Sequence, residues 1–165
     1  MVNESSLEIL LKHDHWATAQ LLGAAKSLSD SQLDQLFEMG MGSLRATLYH
    51  IVQTQWLWGE SLSGREHDFE QKKMGIDELI AWHESVAAEF DRTVHATPLE
   101  TPFNPPWKGK RYAFPRAGVI THILTHGMHH RAQALNMMRH LGVDPLPPSS
   151  VLQWMFMTGA GGEVK

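Results

Sequence analysis

Apolar positions recur along this chain with the period of a helix, and few stretches alternate as a strand would. Leu7, Leu10, Leu11, Ala17, Leu21, Ala25 and Leu28 fall on one face at about 100° per residue. Ser5 and Glu8 have capping-box spacing at the start of that helix. A second helix is expected from Ser43, its cap, to Leu62, with Leu44, Leu48, Ile51, Trp58 and Leu62 inward. Gly40 and Gly42 break the chain before it. The third runs from Ile76 to His95. Asp77 and Glu78 complement the dipole in its first turn, and Ile76, Leu79, Ile80, Val86, Ala87, Phe90 and Val94 make its stripe.

Thr97 and Pro98 end the third helix and open a long loop rich in proline and aromatic residues. A turn signal at Lys108 and Gly109 is suited to joining two short extended pieces. A fourth helix spans Pro115 to Leu141, with Gly142 placed to stop it. Ser149 or Ser150 then caps a short apolar helix, VLQWMFM. Four amphipathic helices of similar length predict an all-α, antiparallel-type bundle, whose interior is a natural place for a metal or ligand site. The 165 residues suit one domain. It is expected over residues 1–158, with 159–165 a disordered tail.

Composition narrows the partners. With 14 Lys and Arg against 18 Asp and Glu, neither a nucleic-acid footprint nor a basic membrane-binding face is expected. Cysteine is absent, which excludes disulfides, zinc–thiolate clusters and a cysteine nucleophile, so any thiol chemistry needs a thiol from outside. No signal-peptide pattern and no apolar run of about 18 residues occur, and a cytoplasmic location is expected. The oddity is eleven histidines.

Four of them lie in HILTHGMHHRAQ, residues 122–133, within the fourth helix. His126 and His130 fall inside its apolar arc, whereas His122, His129, Gln133 and His140 form an adjacent stripe at its edge. Two imidazoles at i and i+4 can share one ion, and an unpaired polar ring on a core face costs about 1–3 kcal/mol. The pair therefore either holds a metal or bonds to carbonyls and neighbouring side chains. His50, on the flank of the second helix, is a candidate third ligand or a satisfied edge histidine. Asp14 and His83 sit on apolar stripes, as extra ligands, as outer partners of ligands, or as a buried structural pair. Tryptophans and methionines at helical spacing read as core, and Trp107 in the long loop as a pocket wall.

Other chemistries find no support. HGMHH has glycine where an HExxH metalloprotease has its general-base glutamate. There is no G-x-S-x-G elbow, no phosphate-binding Gly-rich loop between strand and helix, and no Glu-x-x-His on two helices as in a di-iron bundle. A mononuclear site is what remains.

HDHWATAQLL (13–22), TLYHIVQTQWLW (47–58), WKGKRYAF (107–114) and THGMHHRAQALNMMRHLGVDP (125–145) together resemble the DinB-like bundle proteins, over nearly the whole chain. That resemblance implies a four-helix bundle with two long crossover connections, for which residues 63–75 and 97–115 are long enough. It implies His50, His126 and His130 as the ligands of one divalent transition metal, zinc or nickel first, iron or copper also suiting imidazole. It implies a homodimer, which an exposed apolar helix face in so short a chain also suggests. Ala132 stands where the family commonly has glycine, a change expected to tighten or shift helix packing. The expected function is metal-dependent transfer in which a low-molecular-weight thiol, or water, is activated and attacks an electrophilic substrate held against the 98–115 loop. Gln133 and His129 are the candidates for orienting it, and Arg131 for a helix–helix or dimer contact. The alternatives are a metal-dependent hydrolase and a non-catalytic metal-binding stress-response protein. A closed fourth ligand such as His83 or Asp14 favours the last.

Overall fold

The computed structural model describes residues 4–65, 72–107 and 110–161, without the side chains of Pro106 and Trp107. Lys108, Gly109 and the wall expected of Trp107's side chain lie outside this description. The helices are α1 (Ser6–Ala25), α2 (Asp30–Leu33), α3 (Leu44–Leu62), α4 (Ile76–His95), α5 (Arg116–His140) and α6 (Val151–Thr158). Between α4 and α5 the chain forms two nested antiparallel pairs. The outer is β1 (Pro102–Phe103) with β4 (Phe114–Pro115), the inner β2 (Pro106–Trp107) with β3 (Lys110–Arg111).

Local chemistry explains most boundaries. Ser43 and Ser150 accept from the backbone N–H of Ala46 and Gln153, capping α3 and α6. Gly40 and Gly42 turn the chain into α3 at φ 56° and 86°, where a side chain is strained. At α1 only half of the expected box forms. Ser5 caps the Glu8 N–H, but the Glu8 carboxylate turns away to His95 Nε2, 2.8 Å off, and ties α1 to the end of α4. Leu10 is 42% exposed rather than inward, because Leu11 takes the core position beside it. Pro115 belongs to β4 and precedes the helix, so α5 starts at Arg116, whose buried guanidinium donates to the Leu62 and Thr93 carbonyls. The short α2 has no periodicity to announce it, only the reciprocal Ser29–Gln32 box. At the other end Gly159 closes α6, and the Gly161 N–H bonds the Met155 carbonyl.

The long helices form the bundle, with α1 and α3 each packed against both α4 and α5. Thus α1 lies diagonally from α3, and α4 from α5. The two crossover connections are therefore residues 26–43, carrying α2, and 96–115. The 63–75 connection, expected to be one of them, joins neighbours instead. Two apolar cores result. One gathers Leu21, Leu22, Leu44, Leu48, Leu79 and Met137; the other gathers Leu11, Leu62, Phe90, Ile120 and Ile123. On α1, α3 and α5 a polar layer separates them: Asp14 and Thr18, Gln55, and Gly127 to Arg131. Ala132 lies on the exposed side of α5, away from the helix packing it was expected to alter.

Candidate metal centre

The α3–α5 packing sets His50 opposite His126 and His130, which stand one turn apart on α5. Each of the three offers a ring nitrogen, and these atoms lie within 4.8 Å of one another. His50 Nε2 and His126 Nε2 are 3.3 Å apart, and the His126–His130 and His50–His130 ring centroids are 4.4 and 4.7 Å apart. Zinc–nitrogen bonds of about 2.0–2.1 Å in tetrahedral array place two donors about 3.3–3.4 Å apart, so the donor set fits a transition ion. Without one, two facing acceptor nitrogens at this distance need a shared proton.

Burial favours the proton-free rings that a metal requires. It is the main cause that pushes His126 down to about 4, with His130 and His50 adding to it. It also lowers His50, helped by His130 and opposed by the Gln53 side chain, and lowers His130, opposed by Gln133. The His130 Nδ1–H donates to Gln133 Oε1 at 2.7 Å, which leaves Nε2 as the lone-pair atom. The Gln133 amide in turn donates to His129 Nε2 at 3.1 Å. Gln133 and His129, expected to orient a substrate, are thus joined to the candidate ligand His130, with His129 exposed at the outer end.

Asp14 and His83 go elsewhere. Asp14, on α1, accepts from Arg131 and from Gln55 Nε2 (3.3 Å), and Arg131 also reaches Thr18 Oγ1 at 3.2 Å. Arg131 therefore makes the α1–α5 contact, and Asp14 is its counter-ion. The glycine of HGMHH, which in sequence excludes a metalloprotease, is the one local signal of this pair. A Cβ on Gly127 would meet Asp14 Oδ1 at 2.9 Å and Arg131 Nη1 at 3.0 Å, so the bare backbone makes room for both side chains. His83 is 1% exposed with no hydrogen-bond partner at Nε2, and its ring lies 5.1 Å from that of His15. Burial, then His15 and Arg131, push it down to about 3. It neither pairs with Asp14 nor joins the triad.

Two recesses flank the triad. His50 and Gln53 line one of about 420 Å³, together with Arg45, Tyr49, Lys72 and Lys73. The other, of about 560 Å³, lies between α3, α5 and the residues just before α5, where Trp58, Tyr112, Phe114, Val119 and His122 line it. The His122 ring is 5.7 Å from that of His126 and 6.2 Å from that of Trp58, so this recess begins one residue layer from the triad. His140, the last of the edge stripe, lies instead beside Phe37. No described helix is long and apolar enough to cross a membrane.

A model of the DinB family matches residues 1–157. The fold is similar to that of a DinB-like protein from Bacillus cereus ATCC 10987, with a TM-score of 0.64 and 21% identity over 84% of this chain and 92% of that one. No curated protein matches the chain.

Proposed function

The chain belongs to the DinB family, and we propose that it binds one divalent transition metal through His50, His126 and His130 and serves as a transferase joining a low-molecular-weight thiol to an electrophilic carbon. Zinc or nickel suits three imidazoles best, iron or copper next. The observation that carries this reading is the convergence of three ring nitrogens, with neither expected fourth donor among them: Asp14 is engaged by Arg131 and Gln55, and His83 lies outside the cluster. Three neutral ligands leave a divalent ion its full charge and an open position, where a bound thiol or water has a lowered pKa.

The chain's own residues supply the rest. His50 anchors the site to α3, and Gln133 fixes the tautomer and plane of His130. The recess beside His50 offers Gln53, Tyr49 and Lys72 to the polar body of the thiol, and the aromatic recess beside His122 faces the electrophile. A homodimer is part of the proposal, supported by Leu152, Phe156 and Met157, each more than 60% exposed on α6. A monomeric mass in light scattering at micromolar concentration removes that part.

The test is elemental analysis of native protein, followed by thiol conjugation to a panel of electrophiles with each metal. Stoichiometric metal and conjugation, both lost in His126→Ala, support the proposal. Metal binding with neither conjugation nor hydrolysis leaves a non-catalytic binding protein.

A further inference from the structure

We propose that the 560 Å³ recess beside His122 is a binding site for an uncharged, planar aromatic molecule carrying one hydrogen-bond acceptor, and that it selects the electrophile. This rests on the transferase reading for its role but not for its binding chemistry. A volume of that size takes a two-ring compound with space to spare. Tyr112 and Phe114 stack on one another with centroids 6.0 Å apart and planes 18° from parallel, and each is about 40% exposed at the recess. Half-covered parallel rings present a flat π surface that a third ring can extend. Trp58, also in the lining, stands edge-on to both Phe103 and His122, at 6.4 and 6.2 Å, which holds its ring in the wall.

Polarity sets the rest of the chemistry. Among the described lining residues there is no Asp, Glu, Lys or Arg, so a charged ligand entering here loses hydration without gaining a counter-ion. Besides the Tyr112 hydroxyl and the Trp58 indole N–H, His122 is the polar group of this otherwise apolar wall. It stands on the side that leads to His126, and no hydrogen bond to its ring is formed among the described residues. A ligand acceptor atom placed against its N–H lies on the triad side of the recess, with the ring body among Trp58, Tyr112 and Phe114. This continuity with the triad distinguishes the recess from a surface for a second copy of the chain.

Gly118 supplies a clean way to close the recess. It lies on the wall with ordinary helical backbone, and a Cβ there meets nothing nearer than Pro115 Cβ at 3.9 Å. Gly118→Met is therefore expected to fold at least as well as the natural protein while its side chain occupies the space. The probe is 2-acetyl-6-(dimethylamino)naphthalene, uncharged with one carbonyl, compared by fluorescence with the matching 6-(dimethylamino)-2-naphthoate and with 2-(dimethylamino)naphthalene. The natural protein is expected to bind the ketone at least tenfold more tightly than the carboxylate. Gly118→Met and Phe114→Ala each weaken the ketone at least tenfold while metal content stays unchanged. His122→Ala weakens the ketone but not the analogue lacking the carbonyl. Equal affinity for ketone and carboxylate, undiminished binding in Gly118→Met, or loss of binding as the protein is concentrated and self-associates overturns the proposal. Probe binding that follows this pattern without any conjugation upholds the site and removes only its role in transfer. Conjugation unaffected by Gly118→Met upholds the transferase and overturns the recess's part in selecting the electrophile.

Discussion

The polar residues at mid-bundle divide into two groups that look alike as residue types and behave oppositely. Toward the α3–α5 surface, His50, His126 and His130 bring ring nitrogens within 4.8 Å of one another and are only partly screened from solvent, and His130 keeps its proton on Nδ1, against Gln133. Toward the bundle axis, Asp14, Arg131, Gln55 and Thr18 bond to each other, and His83 beside them is buried with a bare nitrogen. Burial is deeper in the second group. What separates a candidate metal centre from a structural clasp is therefore not burial but whether donors point at each other with nothing between, or are already partnered.

The largest effect expected from breaking this contrast is at the clasp. Arg131→Met strands the Asp14 carboxylate in the interior and should cost about 3–5 kcal/mol of stability, seen as a large fall in Tm with or without metal. Asp14→Leu combined with Arg131→Met should recover most of it, since no buried charge is left alone. A single variant as stable as the natural protein contradicts the clasp.

Next comes the metal-dependent gain in Tm. At about 1,000 times the dissociation constant a metal adds about 4 kcal/mol to the folded state. His50→Ala should lose most of that gain, whereas His83→Ala should lower Tm equally with chelator and with zinc or nickel. If His83→Ala abolishes the gain and His50→Ala keeps it, the ligand set is wrong. Smaller again is the role of Gln133. Gln133→Ala frees the His130 ring to turn, and metal affinity should fall about 10–100-fold with no change in the chelated Tm.

The smallest effect is gradual and belongs to acid. The unfolded chain takes a proton on His83 near the ordinary 6.5, and the folded chain refuses it until about 3. The stability this histidine confers is thus complete above 6.5 and drains away as pH falls toward 3, by about 1 kcal/mol between pH 7 and 5.5. In metal-free protein, melts of His83→Leu over this range should show a shallower fall than the natural chain. Parallel profiles would mean that His83 plays no part in the acid response.

Much of the triad is legible in the sequence. His126 and His130 stand out because an i, i+4 spacing on an apolar arc is a local property of one helix. His50 needs the family resemblance, since nothing in α3 alone says which neighbour its flank will face. Asp14 and His83 are visible as polar residues on apolar stripes, but their surroundings are not. Arg131 lies 117 positions from Asp14, and the glycine that admits the pair reads from sequence only as a missing glutamate. The aromatic recess is hinted at by the loop composition, yet its walls come from α3, α5 and the loop end together.

By itself the sequence determined the four long helices, their inward faces and most of their caps, because helical period and capping act over one or two turns. It also limited the chemistry, through absent cysteines and abundant histidines. Tertiary structure alone decided that residues 26–43 rather than 63–75 cross the bundle, that Arg131 and not a metal satisfies Asp14, and that His122 ends up between the triad and a recess. Those outcomes depend on which helices pack together and at what rotation. That choice is made by the sum of apolar contacts over the whole bundle, and no local stretch encodes it.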